Sequence, residues 1–382
     1  MAKTGRTRLR AGWLQVHKWI GLTLAVLIIP ICLTGSALVW HDWLDAKLEP
    51  QRHAIIGPAA LTPGVYVEAA RSVLASDERV STIRFNADGR PVQIVATTPL
   101  SPGASGRPPR INIWLDPVDA RVIDNAPSSS GMVQVMHVLH GSLMVPGWGR
   151  TIVGWVGVVM LVSSISGLWL WWPLSGSFSR GLRWRRRNST NANLHYQMGF
   201  WILIPLAMLS FTGAWISFPK VFGQFEPGGG QSSAGASRQR TAPALPLLTT
   251  VTSVDRAAVA AAPHATGPLT AIAWPTDQKP EWKVSFEREG SPAEVAVSDR
   301  DGTATPPAPP KPETLARTMR RWHDGTGLGL GWQIVIFFGG IIPAALSVTG
   351  VIIWWRSRKP RARAEAYRRR GLSAATGSLG GE

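Results

Sequence analysis

Histidine is the residue type in this chain best suited to hold a redox cofactor, and six of the eight histidines lie at or near the ends of apolar segments. His17 and His195 begin two such segments, and His140 and His323 precede two others. Neutral imidazole binds haem iron, zinc and copper. The single cysteine, Cys32, excludes disulfides, iron–sulfur clusters and haem attachment through Cys-x-x-Cys-His.

The spacing of the histidines indicates an internal duplication. The motif that begins at His17 recurs at His195, 178 residues later, and a Thr-Gly dipeptide follows both after the same interval. The segments around His140 and His323 match with an offset of 183, as far as a closing Trp-Trp. Each unit is therefore a helix, an outer segment and a second helix, and parallel membrane repeats pack around an axis along the membrane normal.

The duplication predicts two pairs of histidines at two depths, His17 with His195 and His140 with His323. Two imidazoles from facing helices are what six-coordinate haem iron requires in a bundle core, so we predict two b-type haems. Each apolar segment also carries a Ser/Thr-Gly dipeptide. A glycine allows a flat macrocycle to approach a helix, although such glycines are also common helix-packing notches. The four glycines are Gly35, Gly167, Gly213 and Gly350.

Two further histidines are alternative ligands. His137 lies three residues before His140, but Arg320 stands at its position in the second repeat, which leaves the role of His137 open. His41 follows the first apolar segment. Zinc or copper is a weaker hypothesis than haem, because apart from His137 and His140 no pair has metal-site spacing. The apolar segments contain no Asp or Glu, which argues against a proton relay.

Four uncharged segments, each longer than 20 residues, position these histidines, and about 20 apolar residues suffice to cross a bilayer as a helix. They are Trp19–Val39, Thr151–Trp172, Met198–Phe218 and Gly331–Trp355. The net charge of +17 is concentrated in three segments that flank these spans. Basic residues favour the cytoplasmic side and anionic lipid, so the charge indicates a bilayer partner rather than nucleic acid.

We therefore predict an integral membrane protein, mainly α, with four transmembrane helices from a duplicated helix–domain–helix unit and two small α+β periplasmic domains. The protein is expected in a bacterial inner membrane, with both termini on the cytoplasmic side. The expected order is a basic N-terminus (1–12), TM1 (13–40), outer domain 1 (41–148), TM2 (149–172), a basic cytoplasmic loop (173–192), TM3 (193–218), outer domain 2 (219–330), TM4 (331–355) and a basic tail (356–382).

Several motifs resemble those of PepSY-associated membrane proteins, over about residues 13–358. They are His17-Lys-Trp-Ile-Gly21, the Thr-Gly dipeptides, His137-Val-Leu-His140-Gly141, Gly149-Arg150 and the Thr349-Gly-x-x-x-Trp-Trp355 ending. Within that family the chain is most similar to the inner-membrane di-haem ferric-siderophore reductases. The resemblance implies two PepSY-like periplasmic domains, two haems, and reduction of a periplasmic ferric siderophore with release of ferrous iron.

The sequence leaves three functions open. The first is a haem-dependent ferric-chelate reductase acting on a siderophore, expected to be of the hydroxamate type, with a quinol or a cytoplasmic reductase as electron donor. The second is a membrane-anchored PepSY sensor or peptidase-regulating module without redox activity. A quinone-linked electron carrier is the third. A permease ranks below these, because four spans without intramembrane charge offer a poor pathway.

Overall fold

The structure is a computed structural model that describes residues 2–101, 106–172, 178–184, 189–225, 243–288, 292–309 and 313–377. The chain divides into two compact units. The helical unit comprises Met1–Trp40, Met136–Ser233 and Glu313–Glu382, and the sheet unit comprises His41–Val135 and Ala234–Pro312. The predicted loop 173–192 lies partly outside the described residues.

Helices build the helical unit, and the longest of them are apolar. They are α1 (Ala2–Leu38), α4 (Met132–Ser142, in this unit from Met136), α5 (Gly149–Trp171), α6 (Phe178–Gly181), α7 (Thr190–Trp201), α8 (Leu203–Ser217), α9 (Pro219–Phe222), α11 (Leu315–Asp324) and α12 (Gly329–Gly377). In the described part of the chain, α1, α5 and α12 are long and apolar enough to cross a membrane, and α7 with α8 makes a fourth span if the pair counts as one. Val26 and Ile204 are more than three-quarters exposed, as lipid-facing side chains would be.

Two helices differ from the uniform spans that the sequence predicts. The third span is bent by 64° between Trp201 and Leu203. Pro205 explains the break, because proline has no amide hydrogen and its ring clashes with the carbonyl four residues earlier, that of Trp201. Helix α12 continues to Gly377, beyond the predicted end at Trp355, through a stretch rich in the helix formers Ala and Arg.

Repeat-equivalent glycines bring pairs of helices into close contact. A Cβ atom on Gly340 of α12 would meet the Ser36 hydroxyl and the Cys32 carbonyl of α1. On α5, a Cβ on Gly157 would lie 3.0 Å from the Ser210 carbonyl of α8. Gly157 and Gly340 are 183 residues apart, and Cys32 and Ser210 are 178 apart. The two close helix contacts are therefore copies of one another, as the duplication predicts.

The sheet unit contains α2 (His41–Leu48), α3 (Pro63–Arg71) and α10 (Val254–Ala261). Its strands are β1 (Arg79–Arg84), β2 (Val92–Thr97), β3 (Arg110–Leu115), β4 (Val122–Pro127), β5 (Leu269–Ala273), β6 (Glu281–Phe286), β7 (Ala293–Ser298) and β8 (Ala304–Thr305). They form one antiparallel sheet in the order β4-β3-β2-β1-β5-β6-β7-β8.

The two small domains predicted from the sequence are halves of this single sheet. Strands β1 and β5, each at the edge of its own half, pair antiparallel at the centre of the sheet. Ile83 lies opposite Ile272, and both isoleucines are fully buried. Helices α3 and α10 contribute to the same hydrophobic core through side chains such as Tyr66 and Ala257. Each half alone would leave the β1 or β5 edge unpaired, and the pairing of these two strands removes both edges.

Candidate functional site

The four histidines of the predicted pairs meet two by two in the helical unit. The ring centres of His17 on α1 and His195 on α7 are 6.5 Å apart, with their planes at 82°. The ring centres of His140 on α4 and His323 on α11 are 6.0 Å apart, with their planes at 37°. The repeat thus brings together the side chains that the sequence analysis paired.

Each of these imidazoles lies against one of the four Ser/Thr-Gly glycines. A Cβ atom on Gly35 would stand 2.6 Å from Cε1 of His140, and one on Gly213 would stand 3.1 Å from Cε1 of His323. The other two contacts are looser and join Gly167 to His17 at 3.3 Å and Gly350 to His195 at 3.5 Å. The sequence analysis expected these glycines to make room for a macrocycle, and in the structure the space beside each one is filled by a histidine ring.

Nδ1 of each ring bonds to the helix that carries the glycine. The hydroxyls of Ser166, Thr349 and Thr212, each directly before a glycine, lie 3.0 Å from Nδ1 of His17, His195 and His323 respectively. Nδ1 of His140 instead donates to the Ile31 carbonyl, at 2.8 Å. Ile31 is four residues before Gly35. The equivalent carbonyls of Ser163, Leu346 and Leu209 interact with the other three rings.

This arrangement explains why glycine is needed. In a helix, a side chain covers the carbonyl group about one turn before its own Cα. A glycine leaves that carbonyl open to a hydrogen bond from outside the helix. The ring therefore enters the space above the glycine and donates Nδ1–H to the carbonyl or the adjacent hydroxyl.

The hydrogen bonds also set the tautomer of each ring. The hydroxyls of Thr212, Thr349 and Ser166 donate their own hydrogens to carbonyls of their helices, at 2.9 to 3.0 Å. Their oxygens can then only accept from Nδ1, as the Ile31 carbonyl does from His140. All four imidazoles thus carry hydrogen on Nδ1 and a lone pair on Nε2, which is the form that ligates a metal ion.

Burial keeps the pair formed by His140 and His323 neutral. Burial lowers the pKa of His140, and burial followed by the nearby His140 lowers the pKa of His323 to about 4. Both rings are therefore uncharged near neutral pH. Along α1, His17 and Ile31 are 14 residues apart, which at 1.5 Å per residue separates the two pairs by about 21 Å.

The geometry of both pairs fits a haem. Two nitrogens bound at about 2.0 Å on opposite sides of one metal ion stand about 4 Å apart, which puts their ring centres about 6 Å apart. The observed separations are 6.5 and 6.0 Å. Within the described ranges, no group of three or more His, Cys, Asp or Glu side chains converges as a metal site would require. A metal held by two imidazoles alone needs further ligands, and a porphyrin supplies four.

The alternative ligands lie elsewhere. His137 is exposed on α4 and belongs to neither pair. His41 begins α2 in the sheet unit, where its Nε2 is 3.3 Å from Asp42. His53 pairs with Asp45 at 2.9 Å in the same unit.

The sequence analysis missed the hydroxyls of Ser166, Thr212 and Thr349 as functional groups. It used the Ser/Thr-Gly dipeptides for their glycines alone. The signal was present, since a Ser or Thr directly precedes the glycine in all four motifs, and in three of them its hydroxyl contacts the histidine. Thr34 breaks the pattern, because its hydroxyl donates to the Pro30 carbonyl at 2.6 Å while His140 bonds to Ile31.

A unit of three or four helices fit to cross a bilayer, with paired histidines in its interior, defines an integral membrane protein. The chain belongs to the family of the PepSY-associated TM region, whose model matches residues 14–357. The resemblance to PepSY-associated membrane proteins noted in the sequence is thereby confirmed. A search among curated proteins finds no relative of the chain.

Proposed function

We propose that this protein carries electrons across a bacterial inner membrane through two b-type haems and reduces a ferric chelate on the outer side. The observation that carries the proposal is the fourfold contact in which each paired histidine lies on a Ser/Thr-Gly glycine with Nδ1 bonded to that helix. A helix-packing role for the glycines does not explain why each one meets a histidine.

The residues of the chain would hold the cofactors and tune them. Each of the two pairs, His17 with His195 and His140 with His323, would hold one haem through Nε2. A haem would supply one-electron chemistry at a potential that depends on these histidines and their hydrogen bonds. Hydrogen bonds to Nδ1 raise the basicity of each ligand and fix the orientation of its ring. The surrounding apolar helices exclude water from the path.

The electron acceptor follows from the family resemblance together with ligand chemistry. Hydroxamate and catecholate oxygens are hard ligands that hold Fe(III) much more tightly than Fe(II). One electron per iron, taken from a quinol or a cytoplasmic reductase, therefore converts the bound ferric ion into a weakly held ferrous ion and frees the chelator. A ferric siderophore is the proposed substrate, and the hydroxamate type is the one expected from the sequence.

The test uses full-length protein that has been reduced chemically without oxygen. Mixed with a ferric hydroxamate, it should reoxidise, and a ferrous trap such as ferrozine should colour in proportion to the electrons lost. Haem that stays reduced with ferric chelates but reoxidises with a quinone would instead indicate a quinone-linked carrier. Protein that contains no haem at all would favour a sensor or peptidase-regulating module.

The orientation in the membrane is part of the proposal. The basic flanks predict that both termini and the 173–192 loop are cytoplasmic and that 41–148 and 219–330 are periplasmic. A reporter active only after export, fused at Ser101, should therefore be active. Inactivity there, with activity at the C-terminus, would reverse the topology.

A further inference from the structure

Two clefts lie at opposite ends of the seam between β1 and β5. The first is lined by the β1–β2 turn and the β6–β7 connection, and the second by the β5–β6 turn and the β2–β3 connection. The half-sheets have the same strand order outward from the seam and pair antiparallel across it. A rotation that exchanges the halves therefore exchanges the two clefts, and they are copies of one site.

The copies differ in charge. Two carboxylates and two arginines line the first cleft, and Arg90 pairs with Asp88 at 2.7 Å. The second has a volume of about 400 Å³ and holds one carboxylate, Glu281, which Lys279 pairs at 3.0 Å. Its other cations are Arg107, Arg110 and Lys283. The first cleft is neutral and the second carries an excess of three positive charges.

Several basic side chains in or beside the second cleft have donor groups without a close acceptor. In the described part of the chain, the guanidinium groups of Arg107 and Arg110 have no hydrogen-bond or ion-pair partner. Lys283 has only a distant carboxylate, that of Glu294 at 3.8 Å. Arg79 donates through Nη1 to the carbonyl of Pro246, which lines the cleft, and its buried Nε has no acceptor among the described atoms. A buried guanidinium donor without a partner is costly, and an anion nearby would reduce that cost.

We propose that this basic cleft binds a small organic polyanion of the polycarboxylate type. Arginine guanidinium groups match carboxylates with two parallel hydrogen bonds, and lysines add point charges. The cations come from both halves of the sheet and surround a concave space, so they suit a ligand whose charges are spread over several groups. Acetate or inorganic phosphate would reach only some of them.

The inference deepens the proposed function and rests on it in one respect, the identity of the ligand. If the chain reduces a ferric chelate, the cleft favours an anionic polycarboxylate chelate over the hydroxamate type that the resemblance suggests. The binding step itself does not depend on electron transfer.

The test is calorimetric titration of the full-length protein in detergent with gallium(III) citrate, a ferric-citrate analogue that is not reduced under these conditions. Citrate alone, acetate and inorganic phosphate are titrated alongside. Binding should be tighter for the citrate species than for acetate or phosphate and should weaken as salt is added. The variant Arg107→Ser/Arg110→Ser should bind gallium citrate about tenfold more weakly or worse, because both unpaired guanidinium groups are removed.

Arg90→Ser/Arg288→Ser in the neutral cleft is the matched control and should bind as the parent does. Lys283→Gln should give a smaller loss than the double variant. The proposal is overturned if phosphate binds as tightly as citrate, if Arg107→Ser/Arg110→Ser binds as the parent does, or if the control loses as much. Haem content is recorded on the same samples, so failure of the proposed redox function is seen separately from failure of anion binding.

Discussion

In the helical unit, both copies of the repeat keep the same contacts, with a histidine on a glycine and a glycine on a neighbouring helix backbone. In the sheet unit, the copies keep the same strands but have diverged in side chains, so that one cleft is neutral and its equivalent is basic. The proposed cofactors would each need a ligand from both repeats, which would preserve both copies. The proposed small ligand would need only one cleft, which would leave the other free to change.

The largest expected effect is the loss of one haem when a single histidine of one pair is replaced. His323→Ala should reduce the haem content from about two per chain to about one, because six-coordinate iron loses an axial ligand. The pyridine haemochrome assay measures the ratio, and His195→Ala should give the same ratio by losing the other haem. His53→Ala, at a histidine of the sheet unit that pairs with Asp45, is the control and should retain both haems. Full haem content in His140→Ala, with loss in His137→Ala, would move the ligand from His140 to His137.

Alanine at the four glycines should lower the haem content to different degrees, because the space available for a Cβ atom differs from site to site. Gly35→Ala would place Cβ 2.6 Å from the His140 ring and should displace that ring, with loss of the haem proposed between His140 and His323. Gly350→Ala would place Cβ at 3.5 Å, an ordinary contact, and should keep both haems. Gly213 and Gly167 are intermediate.

The control for this series is Gly157→Ala, which meets the Ser210 carbonyl at 3.0 Å and no histidine. Overpacking there should lower stability by about 1–3 kcal/mol without selecting one haem. Equal haem content in all five variants would reduce the four histidine-contacting glycines to helix-packing residues.

The continuity of the sheet predicts that damage in one half reaches the other. Ile272→Ala should destabilise the sheet unit by about 2–5 kcal/mol, because a fully buried side chain opposite Ile83 is cut back. Hydrogen exchange should then quicken in β2 of the first repeat as well as in β6 of the second. Faster exchange confined to β5–β8 would mean that the halves fold separately.

The smallest expected effect concerns the hydroxyl partners. Thr349→Val removes the acceptor of Nδ1–H of His195 but keeps the shape of the side chain, and loss of such a partner weakens metal binding by about 10–100-fold. Haem transfer to apomyoglobin measures the loss, and Thr349→Ser should restore binding. Thr23→Val is the matched control, because the Thr23 hydroxyl donates to carbonyls of its own helix, those of Trp19 and Ile20. A similar loss in Thr23→Val would show that the hydroxyls act on helix stability.

The histidine pairs were predictable, because the repeat offsets can be read directly from the sequence, whereas the glycines were expected to border a macrocycle rather than a histidine ring. The junction of β1 with β5 was not predictable, since either outer segment could close on its own and edge pairing leaves no mark in a strand's pattern. The bend after Trp201 could have been read from Pro205, yet Pro30 lies inside the continuous helix α1. The bonds to Nδ1 depend on which way each ring faces, which residue spacing does not specify.

The haem content of the purified protein is the property on which the proposed function depends most directly. An absorption spectrum of detergent-purified, full-length protein, taken before and after dithionite and combined with a haem count, tests this in one preparation. Two b-type haems per chain, with the sharp α and β bands of low-spin, six-coordinate iron in the reduced state, are the predicted result. Two results would contradict this prediction. The first is protein from haem-sufficient cells that shows no such bands. The second is protein with a single haem that neither His195→Ala nor His323→Ala removes.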